Sequence, residues 1–277
     1  MKVFISVDME GVAGVTHLGD VLSSKGGDYQ TARKWMTAEA NAAIEGALEA
    51  GATEVVVADV HSAMLNLLPD ELHEDALLVR GSPRPGTMME GLDESFDAVF
   101  LVGYHSRAGN SKGVLSHTYV LPVCSLRLNG ITVGEAGFNA AVAGGVGVPV
   151  ALACGDDTLE AEVGALLPWT ERVVTKWAIS FYAARNLSPK ASRKRIHAGA
   201  KRALERLAEM KLLTLETPVR LEVDFAQPIY PYLASDIPGV ERVADADCTL
   251  AYTGADMREV VRIWRLMINA GSGEFYV

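Results

Sequence analysis

An apolar run from Val3 to Val7 delivers two carboxylates, Asp8 and Glu10, just ahead of Gly11. Residues two apart in extended backbone point to the same face, so both acids can converge on one spot. Adjacent carboxylates repel unless positive charge lies between them, and a divalent cation supplies it. A pair of solvated acids at a strand end is the plainer alternative. Similar residues end two later apolar runs: Asp59 and His61 after Thr53–Ala58, and His105 after Ala98–Val102. Glu135 follows the short run Ile131–Val133, and His117 lies between. Carboxylate and imidazole ligands suit zinc, with manganese or iron next. Asp8, Glu10, His61, His105 and Glu135 together exceed what one catalytic zinc needs. Two metals about 3.5–4 Å apart, bridged by a carboxylate, would use them better. Asp8 is expected to bridge because it sits nearest the strand end, leaving Glu10 to a single metal.

Other familiar chemistry is absent or out of context. His73-Glu74-Asp75-Ala76-Leu77 starts like H-E-x-x-H but ends on Leu77, so it cannot form that zinc helix. Gly109-Asn110-Ser111-Lys112-Gly113 spells G-x-S-x-G, yet a strand-like run follows where a nucleophile elbow demands a helix. There is no P-loop, and Gly144-Gly145-Val146-Gly147 precedes a strand instead of following one. His17, His73 and His197 are read as structural, His197 on a basic, solvated helix.

The elements that must position these groups alternate. Strand Val3–Val7, a helix from the Asp28 cap to Ala50 and strand Thr53–Ala58 form a βαβ unit, which predicts a parallel sheet. Ligands of such sheets sit beyond the carboxyl ends of the strands, where these acids and imidazoles arrive. Further strands are expected at Leu77–Arg80, Ala98–Val102, Val114–Val120, Ser125–Leu128, Ile131–Val133, Val148–Ala153 and Val173–Phe181, with Asn129-Gly130 as a hairpin turn. Helices are expected from Glu135 to Ala143 and from Asp156 or Asp157 to Leu167. Beyond Asn186 the character shifts to a basic helix opened by Ser188-Pro189, then strands Val219–Phe225, Glu241–Ala244 and Cys248–Thr253, and a last helix Asp256–Ala270. The expected fold class is α/β, a mostly parallel sheet flanked by helices, with a smaller C-terminal α+β domain. The expected division is 1–186 and 187–277.

Composition narrows the partners. With 49% apolar and 22% charged residues in 277, the chain has the make-up of a globular protein. A net charge of −10 argues against nucleic acid and anionic membrane surfaces as partners. Cys124, Cys154 and Cys248 are far apart and form no C-x-x-C, which fits a reducing compartment. Neither a signal peptide nor a membrane span is expected, so the expected location is the cytoplasm.

The segments Ser6-Val7-Asp8-Met9-Glu10-Gly11, Asp59-Val60-His61-Ser62, Gly103-Tyr104-His105, Ser116-His117 and Val133-Gly134-Glu135, in that order, resemble the D-aminopeptidase family of zinc peptidases. The likeness covers nearly the whole chain. It implies two zinc ions per subunit on Asp8, Glu10, His61, His105 and Glu135, with manganese or cobalt accepted by the same ligands, and a catalytic role for His117. It also implies an N-terminal catalytic domain, a smaller C-terminal one and a ring-shaped homo-oligomer, a decamer.

The expected function is therefore metal-dependent removal of an N-terminal residue, a D-amino acid by resemblance, from short peptides or aminoacyl amides. An amidohydrolase for another small amide, or a non-catalytic metal-containing peptide binder, would use the same ligands.

Overall fold

The computed structural model describes residues 1–272. Seven strands form the main sheet: β1 (Lys2–Val7), β2 (Glu54–Asp59), β3 (Ala76–Val79), β4 (Ala98–Tyr104), β7 (Val150–Asp156), β8 (Glu171–Ser180) and β9 (Ala183–Asn186). Their order is β3-β2-β1-β4-β7-β8-β9, parallel throughout except that β9 returns antiparallel to β8. The expected mostly parallel α/β sheet is what the chain adopts. The chain leaves β1 for β2 and β3 on one side and then crosses to β4 on the other. The crevice between β1 and β4 is thus a topological switch point, the place where open α/β sheets bind ligands.

Both faces of this sheet are covered, which explains why its strands are apolar almost without interruption. Val3, Ile5 and Val7 join one core with the long helix α2 (Tyr29–Glu49) and helix α5 (Pro189–Glu205). Phe4 points the other way, into a core with helices α3 (Glu135–Gly145) and α4 (Asp157–Leu166). A four-residue helix, α1 (Leu18–Val21), lies in the loop between β1 and α2.

A second, antiparallel sheet of five strands has the order β11-β12-β10-β5-β6. It joins β5 (Val123–Leu128) and β6 (Ile131–Thr132) to β10 (Val219–Phe225), β11 (Glu241–Arg242) and β12 (Thr249–Gly254). The division near residue 186 is crossed in both directions: β5 and β6 join C-terminal strands in the second sheet, and α5 joins the core of the first. Helices α6 (Ile229–Ala234) and α7 (Met257–Ser272) complete this part. Helix α3 lies between the two sheets, with Ala136 and Ala140 in one core and Phe138 and Ala141 in the other. Burial on two sides accounts for its small residues; a Cβ at Gly144 would stand 2.0 Å from the Leu213 carbonyl oxygen.

The expected strand over Val114–Val120 does not form. Leu115 and Tyr119 take φ of 52° and 60°, left-handed values that no strand tolerates, and the segment is a chain of turns. Its apolar alternation comes from Val114 and Leu115 filling the first core while Tyr119 stacks edge-on against Phe138 and Trp264.

Trp264 of α7 is fully buried at the centre of the second core. Trp264→Ala is expected to cost about 3–5 kcal/mol, read by urea unfolding, as for other deleted core aromatics. A loss below about 1 kcal/mol would mean that this core collapses around the gap.

Candidate active site

Three strand ends bring the site together. Asp8 and Glu10 follow β1, His61 follows β2 and His105 follows β4, while Glu135 is the first residue of α3. The loops after β1 and β4 touch backbone to backbone, Gly11 N donating to Gly103 O at 2.8 Å. A Cβ on Gly11 would lie 1.9 Å from Tyr104 O, and one on Gly103, whose φ is +73°, would lie 2.2 Å from Asp8 O. Only glycine permits this approach, and the approach sets Asp8 beside His105.

All five groups are buried. Asp8 faces both imidazoles: Oδ1 is 3.3 Å from His61 Nδ1 and Oδ2 is 3.5 Å from His105 Nε2. Glu10 Oε2 is 3.1 Å from His61 Nδ1, and Glu135 Oε1 is 3.4 Å from His105 Nε2. Asp8, Glu10 and His105 offer donor atoms all within 4.8 Å of one another, as do His105, His117 and Glu135. Each histidine is oriented from behind. His61 Nε2–H donates to Val21 O at 2.8 Å, and His105 Nδ1–H donates to Ser106 O at 2.9 Å. Those bonds leave His61 Nδ1 and His105 Nε2 facing carboxylates, an arrangement that is repulsive until a proton or metal cation occupies the space. Asp8 Oδ2, Glu10 Oε2 and His105 Nε2 are buried with no hydrogen-bond partner. Buried polar atoms are ordinarily satisfied, and this donor set suits zinc.

The electrostatics express the same conflict. Burial, then the charge of Glu10, pushes Asp8 up to about 7. Burial opposes charge on His105, but Glu135, Glu10 and Asp8 outweigh it and raise the imidazole to about 10. His61 is raised well above the ordinary value as its acid neighbours, Glu10 first, overcome desolvation. The site is a well of negative potential that draws protons onto imidazole when it has no other cation.

His117 stacks on His105, ring centroids 4.2 Å apart and 6° from parallel. Its Nδ1 donates to Leu115 O at 2.8 Å. Burial and the neighbouring His105 charge lower its pKa, favouring the neutral ring. His117, Asp8, Glu10, His61 and Glu135 line one cavity of about 610 Å³.

The structure thus gathers every residue of the expected set. Asp59, the other polar residue beside His61, serves the loop: its carboxylate accepts from the Asn66 side chain at 2.9 Å and from Leu67 N at 2.7 Å. His17 caps α1, His73 accepts from Asp75 N, and His197 pairs with Glu49 at 3.0 Å. No helix follows Ser111, so no nucleophile elbow exists there.

Two buried charges were not singled out in the sequence. Lys176 Nζ donates to the carbonyls of Glu10, Val12 and Val15 and fixes the loop that carries the acids. Glu39 accepts from Ala13 N at 3.1 Å and Ser192 Oγ at 2.6 Å, tying the same loop to α2 and α5. Their signal was present: Glu39 shares the apolar face of α2 with Met36, Ala40 and Ala43, and Lys176 interrupts the strand Val173–Ala178. A charge at a position whose neighbours are all buried needs a dedicated partner.

The fold and cluster define an α/β protein with a carboxylate–histidine centre at its switch point, of the kind that holds divalent cations. The chain belongs to the D-aminopeptidase family, whose sequence pattern matches residues 1–266. It is 36% identical to a D-aminopeptidase of Bacillus subtilis (strain 168) over 267 residues, 96% of each chain. It also superposes on the Zn-dependent D-aminopeptidase DppA from Bacillus subtilis, a self-compartmentalizing protease, with a TM-score of 0.96, 36% identity and coverage of 99% of this chain and 100% of that one.

Burial, partly offset by Ser192, raises Glu39 to about 7. The folded state then binds more protons than the unfolded one between about pH 4.5 and 7, so this group's contribution to stability is present at low pH and lost as pH rises through 7. Glu39→Gln removes that titration. Relative to the variant, the wild type should lose on the order of 2–3 kcal/mol between pH 4.5 and pH 7.5, measured by urea unfolding. Parallel pH profiles would contradict the assignment.

Proposed function

We propose that this protein is a zinc-dependent aminopeptidase that removes an N-terminal D-residue from short peptides. The observation that carries the reading is the Asp8 carboxylate, one oxygen toward His61, which also meets Glu10, and the other toward His105, which also meets Glu135, with buried unpartnered polar atoms among them. In this reading Asp8, Glu10, His61, His105 and Glu135 would hold the two ions, with Asp8 placed between the two histidines. When bound, zinc supplies Lewis acidity toward the scissile carbonyl and lowers the pKa of water at neutral pH. The proposed ligands and His117 all come from residues 1–186, and the later residues support them through α5 in the first core and the strands of the second sheet.

The chain's own groups do the rest. His117, neutral near pH 7 and open to the cavity, accepts a proton as attack proceeds and returns it to the leaving amine, which cannot depart as an anion. Its Nδ1–H on Leu115 O fixes the tautomer, so that Nε2 is the reactive nitrogen. Ser106 O and Val21 O hold the two ligand imidazoles in orientation.

A ring-shaped homo-oligomer, as large as a decamer, would bury Leu121, Ile229, Tyr232 and Leu233, which are exposed on the single chain. Among the described residues no helix is long and apolar enough to cross a membrane. The cytoplasm, where Cys124, Cys154 and Cys248 stay reduced, suits the three free thiols.

Removing metal by chelation should abolish hydrolysis of D-aminoacyl peptides, with zinc restoring it; unchanged turnover after chelation would sink the proposal. His117→Ala should lower kcat about 10²–10⁴-fold with metal content retained. Undiminished kcat in that variant would remove His117 from catalysis.

A further inference from the structure

The cavity that Asp8, Glu10 and Glu135 line is also lined by Arg84 and Arg265. Arg84 is only 7% exposed, and its guanidinium is fixed, Nε donating to Gly81 O at 2.7 Å and Nη2 to Asp59 O. Its Nη1 is buried with no partner. Arg265, from α7, has a buried Nε that is likewise unpartnered, and it meets no carboxylate among the described residues. Four other arginines, Arg127, Arg172, Arg206 and Arg220, each contact a carboxylate at 2.6 to 3.1 Å. Helix α7 packs on the turn Thr87–Met89, three residues beyond Arg84, so the two arginines come from touching elements.

A buried N–H without an acceptor is costly, and two of them on guanidinium groups lining one cavity call for an anion. Guanidinium donors match the planar geometry of a carboxylate. A short peptide carries a free carboxylate at its C-terminus, and the two arginines line the same cavity of about 610 Å³ as Asp8, Glu10 and Glu135.

We propose that Arg84 and Arg265 bind the free C-terminal carboxylate of the substrate, making the enzyme selective for short peptides with a free carboxyl group over the corresponding amides. The inference rests on the aminopeptidase reading, and it makes the C-terminal helix part of the substrate site. Arg265 is the specificity-determining member. Arg84 also braces the Asp59 strand end, so its removal would disturb more than binding.

The test compares D-alanylglycine with D-alanylglycinamide on the zinc-loaded wild type, Arg265→Gln and Arg265→Lys. Both kcat/KM and calorimetric binding are measured, with thermal unfolding as the folding control. Wild type should favour the free acid, and Arg265→Gln should shrink the acid-to-amide ratio about 10–100-fold, chiefly through KM, the size expected for a lost charge-assisted hydrogen bond. Arg265→Lys should recover part of the ratio. An equal preference in wild type, or an unchanged ratio in Arg265→Gln, overturns the proposal. If neither compound is hydrolysed, the aminopeptidase reading fails instead. The binding ratio then decides on the carboxylate site: loss of acid preference in Arg265→Gln upholds it, and no change overturns it.

Discussion

Everything about this site follows from a charge conflict built into its centre. Asp8, Glu10 and Glu135 are buried against His61 and His105, and these two imidazoles direct their outer N–H groups to Val21 O and Ser106 O. What remains on the inside is oxygen lone pairs facing nitrogen lone pairs. Protons relieve this partly, as the raised His105 and Asp8 values indicate, and divalent cations relieve it fully. Five such groups buried in one place carry a desolvation cost that a shared cation would offset.

Holding the conflict in register requires a stiff frame. The backbone contact between Gly11 and Gly103 fixes the loops after β1 and β4 at a separation no other residue would allow. Lys176 gathers three carbonyls of the loop after Glu10, and Glu39 anchors the same loop from the helical layer. Glu135 enters from α3, a helix gripped by both cores. The second sheet is thereby part of the site's support, and through α7 it contributes Arg265 to the cavity wall.

Much of this was legible in the chain. The apolar runs ending in Asp8, His61 and His105 read as strands because both faces of a parallel sheet are buried, and the helix between the first two makes a crossover that a parallel pair requires. Glu135 was legible as a helix start. The turns around His117 were not, since Leu115 and Tyr119 hold left-handed backbone through tertiary contacts that leave no local signature. The composition of the second sheet was equally hidden: β5 pairs with β10, about a hundred residues later, and pairing at that range is set by the assembled core. Arg84 and Arg265 read as ordinary surface cations until the fold places them against one cavity.

In the proposed site two cations would share Asp8. Crystals of the zinc-loaded protein, with diffraction recorded on either side of the zinc absorption edge, test it most directly. Two anomalous peaks per chain are expected about 3.5–4 Å apart, one on the His61 and Glu10 side and one on the His105 and Glu135 side, with an Asp8 oxygen bound to each. A single peak, or two peaks spanned by Glu10 with Asp8 bound to one alone, would contradict it.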